Sequence, residues 1–487
     1  MRSAALALVV ALATPGEATT PAVYLVIVDG LDVRFATAER MPRLFGLRSE
    51  EPAHTSIVGA RAVMPTRTNP NHVTLLTGVT AEVHGITGNS YWSRVADDRP
   101  AKLDVAALVE VETLFTVLAS ETPARRSAGV FAKPKLARLF AASGPQRAPD
   151  VLWSPEHLPV SRVDPATRYA SDADTIHAAI ALTEKAEPDL TVINLADVDR
   201  TAHGRGPDDD ASMRAVAGAD AAIGRLIDAL RARGRWARAV LIVTADHGFA
   251  SVEPTRDAPY PTVPFGRELL RAGIRGVRLV ADGGVEHVYA EGLAADATDV
   301  GKAGDTLARV AALAAATPGV AEVLARLPVG DVPRFAVAHP DWHLDHPRTG
   351  DLLLVAAPGH QFVDPFDPVD ASLRGNHGGP GERNVPLVVT GGWPGLVPVC
   401  DAPAPNLTQV APTIVHVLGV RSPRRLDNRP LPPPPAPLPV LTPEPNERPP
   451  DPSAAPGPPA AARHPPYGPD APPLASAPSR AVARLGL

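Results

Sequence analysis

The chain has 487 residues, enough for one large domain or two or three average ones. Its net charge is −6, and no basic excess of the kind that marks nucleic-acid binding shows in the totals. A single Cys, Cys400, excludes an intrachain disulfide and a thiolate-rich metal site. Lys is rare, with five residues, so Arg carries most of the positive charge.

Residues 1–20 read as a signal peptide. Arg2 gives a positive start, residues 4–13 form an apolar core, and small residues follow. That core is too short to span a bilayer, and no Cys follows it as a lipidation site. The expected mature protein is periplasmic or secreted and has no transmembrane helix.

Residues 22–28 are a continuous apolar, β-branched run, the pattern of a strand buried on both faces of a parallel sheet. It ends in Asp29-Gly30. In open α/β sheets ligands bind beyond the carboxyl ends of the strands, so Asp29 is a site candidate. Residues 64–72 then place Thr68 before Pro70 and a helix over 72–77 that stops at Gly78. A hydroxyl there is ordinarily a cap, although the free N–H groups of a helix entrance also suit an anion. Residues 83–89 read as a shaped loop and 114–119 as a helix. A strand over 129–132 leads to Lys133-Pro134-Lys135, which holds two of the five Lys residues near a strand end.

A second apolar strand, 190–195, ends in Asp197-Val198-Asp199, with His203 four residues after Asp199. A helix over 212–233 closes at Gly234. A third strand, 239–244, ends in Asp246-His247-Gly248. Residues 250–374 interrupt the rhythm as an inserted α/β subdomain. It contains a hairpin around Asp282-Gly283-Gly284, a helix over 306–316 and a strand over 352–356. His343 and His346 sit in a Pro-flanked stretch that reads as a surface loop rather than a metal pair. His377 follows in Gly-Asn-His-Gly-Gly, then a strand over 385–390 and a last helix over 408–418. From 429 to 487 the chain is Pro- and Ala-rich and reads as a disordered tail.

The expected fold is therefore α/β: a mostly parallel central sheet flanked by helices, with the insert, over residues 21–428. Asp29, Asp199, His203, Asp246, His247, His377 and the hydroxyl of Thr68 form one constellation, because strand ends on one sheet edge converge. Asp and His in this mix are typical of zinc, and carboxylates admit other divalent ions. Seven ligands are too many for one tetrahedral ion. They suit two ions of the kind that clamp an in-line displacement at phosphorus. Coordination to a cation would also activate Thr68 without a separate base.

These motifs resemble the alkaline phosphatase superfamily and, within it, the type I phosphodiesterase/nucleotide pyrophosphatase family. The matching residues are the strand ending Asp-Gly, Pro-Thr-Arg-Thr-x-Pro-Asn-His, His-Gly-Ile-x-x-Asn, Asp-x-x-x-His-Gly, Thr-Ala-Asp-His-Gly and Gly-Asn-His-Gly. The resemblance implies that Asp29, Asp246 and His247 bind one zinc, together with Thr68, and that Asp199, His203 and His377 bind the other. It implies that Thr68 is the nucleophile and passes through a phosphothreonine-type intermediate, and that Asn89 donates to a non-bridging oxygen. Asn69 stands where many nucleotide-cleaving members carry Phe. Thr-Asn-Pro-Asn and Ala-Lys-Pro-Lys also resemble phosphonoacetate hydrolase, in which residues like Lys133 and Lys135 contact the substrate's negative groups. The substrate expected is thus a small phosphodiester, nucleotide or phosphonate, with carbon–phosphorus cleavage or monoesterase activity as alternatives. A sulfatase is disfavoured, since Cys400 lacks such a setting. A non-catalytic wall protein rests on the tail alone.

Overall fold

Three long apolar runs determine where the sheet forms, because each can bury both faces. The computed structural model describes residues 20–50, 56–94, 99–252, 261–363, 373–396 and 405–423. The proposed signal, the tail and Cys400 lie outside them. In chain order the strands are β1 (Ala22–Val28), β2 (Ser56–Arg61), β3 (Ser127–Phe131), β4 (Val151–Trp153), β5 (Leu190–Leu195) and β6 (Ala239–Thr244). There follow β7 (Val277–Asp282), β8 (Val285–Ala290), β9 (Val320–Ala325), β10 (Leu352–Ala356) and β11 (Asn384–Gly391). The central sheet has the order β2-β11-β6-β1-β5-β3-β4. β6, β1, β5, β3 and β4 run parallel, and β11 is antiparallel to both β6 and β2. β1, β5 and β6 are buried along their whole length, as their apolar runs require.

Helices cover the sheet. The ones that carry the site are α1 (Thr68–Thr77), α2 (Asp197–Arg205) and α3 (Asp210–Ala232). α1 is buried at every position, and Gly78 closes it in the left-handed conformation (φ 77°), which Gly adopts without cost. It begins at Thr68, earlier than the spacing predicted, with Arg67 as the extended N-cap residue. Thr68 is therefore the first helical residue and not the cap.

The insert forms its own antiparallel sheet, β7-β8-β10-β9, over a separate apolar core that includes Phe265, Leu307, Val310 and Leu354. A third cluster joins it to the main body, where Met64 and Ala81 pack with Val285, Phe335, Trp342 and Leu353. Asp351, fully buried, fixes the same junction. It accepts from Arg94 through two nitrogens (2.8 and 2.9 Å) and from the Ala290 amide. The β7–β8 turn, Gly283–Gly284, lies directly on the backbone of residues 377–379, with the Gly284 amide donating to His377 O (3.1 Å). A Cβ on Gly284 would stand 2.6 Å from Gly379 Cα, so no side chain fits there.

The His343–His346 stretch holds no metal pair. His343 is exposed beside Glu82, while His346 is buried and bonds Glu110, so the two rings serve different partners.

His84 shows how the fold holds the loop that carries Asn89. It is buried, its Nδ1 accepts from the Ile86 amide (3.1 Å), and its Nε2 lies 3.1 Å from Thr74 Oγ1 on α1. Burial, reinforced by His346, lowers its pKa to about 3. The unfolded imidazole titrates near its ordinary value of about 6.5. The stability that neutral His84 provides is therefore complete above that value and is lost as pH falls towards about 3. Denaturant midpoints measured across this range should fall less steeply for His84→Gln than for the unsubstituted chain. Parallel pH profiles would contradict this role.

Candidate active site

The sheet brings the predicted residues together by register. β6, β1 and β5 are adjacent, with Ile27 level with Thr244 and Val28 level with Leu195. Asp29, Asp246 and Asp199 leave the same edge just beyond these ends, and all three are buried. β3 is the next strand, so Lys133, just past Phe131, arrives at the same place. Its Nζ lies 2.7 Å from Asp29 Oδ1 and 2.7 Å from Asp199 Oδ2. Asp199 and His203 sit on α2 rather than on a loop. Their four-residue spacing is one helical turn, and His203 Nε2 lies 3.5 Å from Asp199 Oδ1.

Three imidazoles are held in one manner. His203 Nδ1 meets Gly375 O (3.2 Å), His247 Nδ1 meets Gly248 O (3.0 Å), and His377 Nδ1 meets Thr66 O (2.7 Å). A carbonyl can only accept, so each Nδ1 carries the proton and each Nε2 presents a lone pair. Those lone pairs face carboxylate oxygens at non-bonding distance. His247 Nε2 is 3.3 Å from Asp246 Oδ2 and 3.6 Å from Asp29 Oδ1, and His377 Nε2 is 3.6 Å from Asp199 Oδ1. Asp199 Oδ1, Asp246 Oδ2 and His247 Nε2 are buried and make no hydrogen bond. Lone pairs facing lone pairs in a buried site repel one another unless a cation lies between them. An Nδ1–H fixed by a carbonyl, with Nε2 aimed inward, is the outer-shell arrangement of metal-binding His. The residues present thus fit divalent ions.

Burial keeps the rings neutral and able to ligate. It lowers both His203 and His247 to about 4 and puts His377 well below the usual range. Burial, with Asp246 next, raises Asp29 to about 7. Burial also pushes Asp199 upward, but Lys133, His203 and His247 outweigh it and the net direction is down. For Lys133 burial acts downward, and the Asp199 and Asp29 carboxylates override it and raise the ammonium.

Distance alone does not divide the ligands as the family resemblance implies. Asp199, His247 and His377 form one group with ligand atoms within 4.8 Å of each other, and Asp29, His72 and Asp246 form another. The rings of His247 and His377 stack at 3.5 Å, which places His247 between the two sets. His72 was not a sequence candidate. Its Nδ1 donates to Thr68 O (2.9 Å) and its Nε2 takes Asn194 Nδ2 (3.2 Å), so both ring nitrogens are occupied. It supports Thr68 and leaves no lone pair for an ion. Asn194, also missed, donates to Asp29 Oδ2 (2.9 Å).

Thr68 is buried at the head of α1. Asn89 Oδ1 accepts from the Asn69 amide (3.1 Å), which leaves the Asn89 amide NH2 as its donor. Asn69 is held by the backbone, its Nδ2 donating to Leu103 O (2.9 Å). Lys135 is half-buried, and burial followed by the repulsion of Lys133 lowers it to about 7. Asp282, read in the sequence only as part of a turn, pairs with Arg67 Nε (2.9 Å) and accepts from the Asn89 amide (3.1 Å). Arg67 in turn donates to His377 O (2.9 Å). Nothing in the local sequence marks Asp282 for this role, because its partners lie far away in the chain.

Comparison with known proteins bears on the fold and the family. Human ectonucleotide pyrophosphatase/phosphodiesterase family member 7 is 25% identical over 314 residues, 59% of this chain and 65% of that protein. Venom phosphodiesterase of Naja atra is 24% identical over 204 residues, 40% of this chain and 22% of that protein. The chain thus spans less than two thirds of these curated relatives. Murine ectonucleotide pyrophosphatase/phosphodiesterase 5, solved as an inactive variant with AMP, superimposes with a TM-score of 0.61 at 20% identity. That match covers 83% of this chain and 96% of the other. Phosphonoacetate hydrolase of Sinorhizobium meliloti, solved with phosphonoformate, gives 0.58 at 21% identity over 82% and 95% of the two chains. These superpositions establish the alkaline-phosphatase-like fold. The sequence profile of type I phosphodiesterase / nucleotide pyrophosphatase matches residues 23–380, and the chain belongs to that family.

Proposed function

We propose that the chain is an exported hydrolase of phosphoric ester bonds, of phosphodiesterase or nucleotide pyrophosphatase type, with Thr68 as nucleophile and two zinc ions. The observation that carries this reading is the set of unpartnered buried atoms, Asp199 Oδ1, Asp246 Oδ2 and His247 Nε2. Asp29, Asp246 and His247 would hold one ion beside Thr68, and Asp199, His203 and His377 the other. Mixed Asp and His donors favour zinc over magnesium or calcium. When bound, the ions supply positive charge that lowers the pKa of the Thr68 hydroxyl and offsets charge developing on the phosphoryl oxygens. The catalytic unit is taken as residues 21–428, with 1–20 as signal and 429–487 outside it.

The chain's own residues then act as follows. Thr68 Oγ1 bonds to phosphorus as the bond to the leaving oxygen breaks, and the Thr68 proton ends on the departing alcohol. Asn89 donates its NH2 to a non-bridging oxygen, where it gains strength as charge builds. His72, gripping Thr68 O, keeps the nucleophile at the helix head. Water then cleaves the threonine–phosphate bond, restoring the hydroxyl and releasing a monoester. A chelator should abolish turnover of a chromogenic diester, and added zinc should restore it. Thr68→Ala should lower kcat by about 10³-fold or more, while elemental analysis finds its metal content unchanged. Wild-type turnover by Thr68→Ala would remove the nucleophile from the account.

A second reading, carbon–phosphorus hydrolysis, is favoured by one observation. Lys133 penetrates between Asp29 and Asp199, and it lies close enough to Lys135 to depress the Lys135 ammonium electrostatically. Paired cations suit a substrate with two anionic ends, such as phosphonoacetate. On this reading Lys135→Ala should raise KM for phosphonoacetate about tenfold or more, the worth of one charged hydrogen bond. A diester with a neutral leaving group should be nearly unaffected. Failure of the unsubstituted enzyme to release phosphate from phosphonoacetate would exclude this second reading.

A further inference from the structure

A cavity of about 680 Å³ opens between the insert and the short hairpin that follows Asn89, in which Ser90–Tyr91 pairs with Ala101–Lys102. It lies outside the cluster of buried carboxylates and imidazoles. Its floor is apolar, formed by Leu269, Ile274, Leu279 and Val280, with the exposed side chain of Leu270 at the mouth. Its rim is cationic, with Arg99, Lys102, Arg275 and Arg278. Glu291 is the one acid among the described lining residues, and it is engaged by Arg278 Nε at 3.1 Å. Among the described lining residues, Arg99, Lys102, which also donates to Ser90 Oγ (3.2 Å), and Arg275 carry three further positive charges, on a chain whose net charge is −6. Trp92 adds an aromatic wall.

Like charges gathered around a concave, low-dielectric floor repel one another and raise the local concentration of anions. The volume falls within the range of small-molecule pockets. The combination selects for two properties at once, an acidic group for the rim and an apolar body for the floor. We infer that this cavity binds an amphipathic anion, a phosphate-, sulfonate- or carboxylate-bearing molecule with an aromatic or short aliphatic body. Its walls reach the active site through single peptide bonds. Ser90 follows Asn89, Ala281 precedes Asp282, and Asp282 accepts from the Asn89 amide. The anion is either the distal end of the substrate itself, a source that rests on the proposed diesterase function, or a separate small molecule whose binding bears on Asn89 through this wall.

The test is a fluorescence titration of the full chain with 8-anilinonaphthalene-1-sulfonate, with uncharged N-phenyl-1-naphthylamine as control. The sulfonate should bind one saturable site that weakens with salt. Lys102→Glu combined with Arg275→Glu should weaken it by about tenfold or more, while the charge-conserving pair Lys102→Arg and Arg275→Lys retains it. The neutral probe should not distinguish the variants. Equal sulfonate affinity in the unsubstituted and charge-reversed chains would overturn the inference. The source is read from KM for two p-nitrophenyl diesters that differ only in a carboxylate on the second ester group. A rise in KM confined to the carboxylated diester assigns the cavity to the substrate. Unchanged KM for both, with sulfonate binding lost, assigns it to a separate molecule. If neither diester is turned over, the proposed function fails while the titration still decides the cavity.

Discussion

Three carboxylates are buried at adjacent strand ends, with one ammonium among them. Asp29, Asp199 and Asp246 cannot all stay ionised there on the strength of Lys133 alone, since a buried charge requires a partner. The raised pKa of Asp29 and the unpartnered oxygens of Asp199 and Asp246 express this imbalance. A rigid parallel sheet keeps the groups from relaxing apart, because β6, β1 and β5 are locked in register beneath them. The backbone carbonyls that fix His203, His247 and His377 keep their lone pairs turned inward at the same time. The site is thus held in a geometry that added positive charge completes, and the proposed two-ion chemistry follows from that deficit.

The insert is part of this arrangement. Its β7–β8 turn rests on the backbone around His377, and Asp282 at its edge holds both Arg67, the N-cap of the helix headed by Thr68, and the amide of Asn89. One carboxylate from the insert therefore touches the supports of the proposed nucleophile, oxyanion donor and ligand. The glycine pair beside it permits the close approach, because a side chain at Gly284 would collide with Gly379. Asp282 and Asn89, which bond each other, are next in sequence to Ala281 and Ser90 in the lining of the cationic cavity.

Much of this was legible in the sequence, for a physical reason. Strands buried on both faces read as unbroken apolar runs, so β1, β5 and β6 were bounded correctly, and the acids that follow them marked the edge where they converge. The misses have physical reasons too. The start of α1 is one: the spacing predicts a helix over 72–77, whereas Arg67 takes the cap position and the helix starts at Thr68. Asp199 and His203 were placed beyond a strand without the helical turn that aligns them. His72, Asn194 and Asp282 were not singled out, since their roles come from partners brought near only by folding. The resemblance implies a substrate contact for Lys133; in the structure its ammonium lies between two of the carboxylates.

The most direct measurement is an anomalous difference map from crystals of the zinc-loaded protein. The account predicts two peaks, one among Asp29, Asp246 and His247 and one among Asp199, His203 and His377, with Lys133 Nζ withdrawn from its 2.7 Å contacts. A map with no peak, and Lys133 still joining Asp29 to Asp199, would contradict it.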